Sequence, residues 1–76
     1  MRAYFLGTDP TSQYGSSPTL YATDRADRVT FLLQGWVVTD PEALADVGEV
    51  PAGEGLVEVP IEVLRLAAQH ERWAES

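Results

Sequence analysis

The chain has 76 residues, no cysteine, one histidine and a formal net charge of −7. The lack of cysteine excludes disulfides and thiolate metal sites, and His70 alone is too few nitrogen ligands for a zinc centre within one chain. Twelve acids stand against five bases, all arginine, which argues against direct binding to nucleic acid or an anionic membrane, since phosphate contacts need a basic face.

A single domain of this size buries only about 60% of its unfolded-chain surface. Small domains usually need a disulfide, a metal or oligomerisation to compensate. With the first two removed, association with another chain is the expected support. Residues 3–6 read as a short strand. Gly7 to Pro18 is a long connection of small and polar residues, in which Tyr14, Ser12, Ser16 and Ser17 would be the contact residues if it binds anything. Ahead of that connection, Arg2 and a short apolar patch do not make a signal peptide. No apolar run approaches the roughly 18 residues of a membrane span. A cytoplasmic protein is expected.

Residues 19–23 form the second strand. Asp24 to Asp27 is a turn by composition, since Asp24 can bond the backbone two residues on. Residues 28–39 then form a long strand paired with the second as a hairpin. Gly35 interrupts it and marks a bend. Asp40 is a helix N-cap, Pro41 occupies the first helical position and Glu42 complements the positive helix end. The short helix covers 41–47 and stops at Gly48. After a Pro- and Gly-rich loop, residues 56–59 alternate as a strand, and Pro60 opens a last helix from Ile61 to about Ala74. The predicted fold is α+β: a small, mainly antiparallel sheet of three to four strands, one short helix, and a C-terminal helix packed on the sheet.

On the last helix, Glu62, Arg65, Gln69 and Arg72 form a narrow polar stripe, and apolar residues fill most of the rest. A helix on one sheet needs an apolar stripe only a little over 100° wide. The expected core is Phe31, Leu33, Val37, Leu44, Val57 and Leu64. The expected partner interface is Val63, Leu66, His70 and Trp73, with Trp36 nearby.

No residue pattern identifies catalysis, a cofactor or a metal. His70 has no nucleophile beside it in the sequence. Asp40 and Glu42 are accounted for by helix capping. Gly53-Glu54-Gly55 lacks the strand, turn and helix of a phosphate loop, and Asp24 to Asp27 lacks the oxygen spacing of a calcium loop.

The segments Thr19-Leu-Tyr-Ala-Thr-Asp-Arg25, Leu33-Gln-Gly-Trp-Val-Val-Thr-Asp-Pro-Glu-Ala-Leu44 and Gly53-Glu-Gly-Leu-Val-Glu-Val-Pro60 resemble a group of small uncharacterised actinobacterial proteins of Streptomyces type. The resemblance covers most of the chain. It implies an accessory to transcriptional regulation, encoded near helix-turn-helix regulators, and carries over no active-site residue. The over-wide apolar surface of the last helix, on a small acidic domain without catalytic groups, makes the leading functional expectation a non-enzymatic protein–protein interaction module, binding a protein partner or itself as a homodimer. The alternatives are an acidic antitoxin-like or DNA-mimic blocker of a basic surface, motivated by seven acids and no base from Asp40 to Glu62, and a small enzyme or ligand-binding protein.

Overall fold

The computed structural model describes residues 1–11 and 18–70. Its elements are β1 (Ala3–Thr8), β2 (Thr19–Thr23), β3 (Phe31–Gln34), β4 (Trp36–Val37), α1 (Pro41–Val47), β5 (Val57–Glu58) and α2 (Ile61–Gln69). The fold is α+β. A three-stranded antiparallel sheet in the order β1-β2-β3 carries α2 on one face, and β4 and β5 pair separately as a two-stranded antiparallel sheet.

The strand boundaries correct the sequence reading at one place above all. The long strand expected over 28–39 is two strands, broken at Gly35. A Cβ on Gly35 would lie 2.6 Å from a Val59 methyl, 2.8 Å from the Glu58 carbonyl oxygen and 3.2 Å from Val57 Cβ. The backbone therefore approaches β5 too closely for any side chain. Past this point the chain leaves the main sheet and pairs with β5, Trp36 opposite Glu58 and Val37 opposite Val57. Residues 57–58 thus join β4 and not the larger sheet.

Alternation along the strands sorts their side chains. Gly7, Leu20 and Leu33 are cross-strand neighbours, as are Tyr4, Ala22 and Phe31. Both rows belong to the face that α2 covers. The β1–β2 register shifts between Phe5 and Gly7, where Leu6 is the extra residue of a bulge. The bulge lets Leu6 join the core cluster and puts Gly7 against α2, where an added Cβ would be 2.9 Å from a Leu66 methyl.

The core consists of Leu20, Val63 and Ala67, with Leu6, Phe31, Leu33, Val59 and Leu66 packed around them half-buried. Val63 is 0% exposed. Burying a valine of this kind stabilises by roughly 1.5–3 kcal/mol. Of the six expected core residues, Phe31 and Leu33 are confirmed at the edge of this cluster. Val37, Leu44, Val57 and Leu64 are not core: Val37 is 75% exposed and Leu64 48%. Val37, Leu44 and Val57 lie beyond the break at Gly35, on the part of the chain that leaves the main sheet. Leu64 lies on the side of α2 turned away from it.

α1 forms for local reasons. The Asp40 carboxylate accepts a hydrogen bond from the Ala43 N–H at 3.3 Å, and Pro41 opens the helix. Gly48 ends it at φ 85°, a left-handed backbone that glycine adopts without steric cost. No residue of α1 is buried. α2 starts without a side-chain cap and ends at Gln69, His70 having extended backbone. Among the described residues, no helix is long and apolar enough to cross a membrane.

Candidate interaction surface

The expected interface on α2 is turned inward. Val63 is at the centre of the core, Leu66 packs against it, and His70 is half-buried with its ring edge-on to Phe31 at 5.9 Å between centroids. Val63 is fully buried and so is not available to a partner, which corrects that part of the expected interface, while Leu66 and His70 keep part of their surface at the cleft they share with Leu6 and Gln69. The face of α2 left in solvent is the opposite one, with Ile61 and Leu64 exposed beside Arg65 and Gln69. Trp36, the strand member of the expected interface, is 52% exposed and belongs to β4 in the second sheet. Trp73, with Tyr14, Ser12, Ser16 and Ser17 of the long connection, lies outside the described residues.

Two other surfaces gather exposed apolar side chains. The first is the outer face of the three-stranded sheet. Phe5 pairs with Tyr21 and Tyr21 with Leu32, so the three side chains form one row across all three strands. The Phe5 and Tyr21 rings meet edge to face at 6.2 Å. Phe5 is 65% exposed. The Tyr21 hydroxyl reaches Gln34 Oε1 at 3.4 Å, and Gln34 pairs with Thr19 on the same face. No residue in these paired positions carries a charge.

Sequence reasoning missed this row, yet its signal is present. Tyr4-Phe5-Leu6, Leu20-Tyr21-Ala22 and Phe31-Leu32-Leu33 are each apolar at three consecutive positions. A half-buried strand alternates, whereas apolar residues on both sides mean a sheet with two apolar faces. α2 can cover only one of them.

The second surface is an open groove of about 540 Å³ between α1 and the β4–β5 pair. Val37 and Val57, directly opposite across the strands, form one side, and Ala43 and Val47, one turn apart on α1, form the other. Asp40 and Glu58 line it as well.

Among the described residues, a smaller cleft beside His70 is lined by Leu6, Leu66 and Gln69. Among the described residues, no group of three or more His, Asp or Glu side chains has the spacing to hold a metal ion. Comparison with protein-family models, with curated proteins and with solved structures finds no match to this chain.

Proposed function

We propose that the protein is a cytoplasmic, non-enzymatic protein–protein interaction module that associates with itself through the outer face of its three-stranded sheet. The observation that carries this reading is the imbalance between core and surface. Among the described residues, Leu20, Ala22, Val63 and Ala67 are the buried hydrophobics, while Phe5, Leu32 and nine further large apolar side chains are exposed. Single exposed hydrophobics are ordinary, but a contiguous row is a mark of association. Phe5 and Leu32, both exposed, and Tyr21, half-buried between them, form such a row.

Charge selects the face. Two copies each at −7 repel, and the repulsion is least where the contacting surfaces carry no charge. The outer sheet face meets that condition, and the acidic stretch from Asp40 to Glu62 does not. The resemblance to small actinobacterial proteins extends the reading to an accessory role beside a transcriptional regulator.

Light scattering across a concentration series tests the proposal. The expected result is a dimer that Phe5→Ser together with Leu32→Ser converts to a monomer, which stays folded but whose melting temperature no longer rises with protein concentration as that of the wild type does. A wild-type chain that stays monomeric at high micromolar concentration overturns self-association. A dimer that the double substitution leaves intact overturns the choice of face.

A further inference from the structure

We infer that the groove between α1 and the β4–β5 pair is a docking site for a basic amphipathic segment of another protein. This rests on the interaction-module reading above and supplies its second partner. Most of the lining is apolar, with Val37 and Val57 on the strands facing Ala43 and Val47 on the helix. Val37, Val47 and Val57 remain exposed. An apolar bed open along its length suits the apolar face of an extended or helical segment, which anchors a few side chains at regular spacing.

The rim decides which segment. Asp40 lies in the lining itself; Glu58 lines it too, but it pairs with Trp36 and so directs its side chain to the other face of the strands from Val57. Glu42 and Asp46 are one turn apart on α1, in a row adjoining Ala43 and Val47. Like charges at this spacing oppose helix formation. Glu49 and Glu54 continue the series along the connection to β5, and there is no base anywhere from Asp40 to Glu62. Among the described residues the ion pair found is Arg25 with Asp27, away from the groove. These acids are all exposed and, among the described residues, none is in an ion pair; the Asp40 carboxylate is engaged as the N-cap of α1.

An occupant with arginine or lysine flanking an apolar stripe would neutralise these carboxylates while covering the valines. A second copy would bring its own charge of −7 to the same rim, and is disfavoured there on the grounds that favour it at the uncharged sheet face. The acidic blocker considered from the sequence thus acquires a specific place. The surface it would cover is an apolar ridge bordered by basic residues, not a basic patch alone.

The test uses the full-length protein and a synthetic 14-residue peptide with leucines along one helical face and arginines along the other. A second peptide has glutamate in place of every arginine. Amide chemical shifts of the ¹⁵N-labelled protein are followed during titration at low and high salt. The expected result is saturable shifts at Val37, Val47 and Val57, loss of affinity as salt rises, and no binding of the glutamate peptide. Asp46→Asn and Glu42→Gln should each weaken binding about threefold. Val47→Asp, at an already exposed position, should abolish it with the folded spectrum retained.

Equal binding of both peptides, salt-insensitive binding, or shifts centred on Phe5 and Leu32 would overturn the inference. So would groove shifts that follow protein concentration without peptide, because the occupant would then be a second copy. If the arginine peptide fails while light scattering still shows a dimer dispersed by the Phe5 and Leu32 substitutions, this inference falls and the interaction-module reading stands.

Discussion

Gly35 lies against the carbonyl of Glu58 so closely that a Cβ in its place would sit 2.8 Å from that oxygen. The contact joins the two sheets of the molecule, because Gly35 is the residue between β3 and β4 and Glu58 belongs to β5. The φ of Gly35 is not positive, so what this position demands is space and not glycine's freedom to adopt left-handed backbone. Gly35→Ala should destabilise by about 1–3 kcal/mol, the usual range for overpacking a site that cannot give way. Gly55→Ala is the matched control, since nothing lies within 4 Å of a Cβ added there. Urea denaturation of the two variants measures the difference. Equal midpoints would mean that β5 moves aside freely.

Val63 and Leu64 are adjacent in sequence and opposite in environment. Val63→Ala should cost about 2 kcal/mol from lost burial and the cavity left behind. Leu64→Ala, at a half-exposed position, should cost less than about 1 kcal/mol. The reverse order in denaturant melts would show that α2 packs on the sheet through its other face.

That pair shows how far the sequence could be read. The existence and type of β1, β2, α1 and α2 were legible, because turn residues, caps and strand composition are local signals. The rotation of α2 was legible in principle. Arg65 and Gln69 define the solvent side, and the helical period puts Val63 and Ala67 roughly opposite them. The reading failed because apolar residues surround most of the helix, leaving Ile61 and Leu64 as an equally apolar alternative. The split at Gly35 was legible only as a bend. What makes it a change of sheet is its close approach to Val57, Glu58 and Val59, a contact across more than 20 residues that no local pattern encodes. The assignment of Val37, Leu44 and Val57 to the core failed with it. The row of Phe5, Tyr21 and Leu32 depends on register, which was fixed only once the pairing of all three strands was known.

Thr23 closes the turn between β2 and β3. It is buried, shares a 2.7 Å hydrogen bond with the Thr30 hydroxyl, and accepts from the Arg25 N–H at 3.3 Å. Thr23→Val keeps the shape and removes these bonds, leaving partners in a poorly hydrated site. The expected cost is about 1–3 kcal/mol. Thr30→Val removes only one side of the hydroxyl pair, so the double variant should cost less than the sum of the two. Additive losses in a double-mutant cycle would mean that the two hydroxyls act independently.

α1 should respond to change without involving the rest of the molecule. None of its residues is buried, so its stability rests on its ends: the Asp40 carboxylate on the Ala43 N–H, Pro41 at the start and Gly48 at the stop. Asp40→Ala removes the N-cap and should weaken the helix by about 1 kcal/mol. A loss of that size in a segment that opens locally accelerates amide exchange about fivefold within residues 41–47, while exchange in β2 and α2 is unchanged. The global denaturation midpoint should barely move. Because Ala43 and Val47 form one side of the groove, affinity for the arginine peptide should fall together with this local protection. Asp40→Ser keeps a capping oxygen and should restore most of the protection. Any shortfall in affinity relative to wild type then measures the carboxylate charge itself. If Asp40→Ala instead lowers the global midpoint and exposes β2 to exchange, α1 is coupled to the core, and the groove cannot be treated as a separable surface.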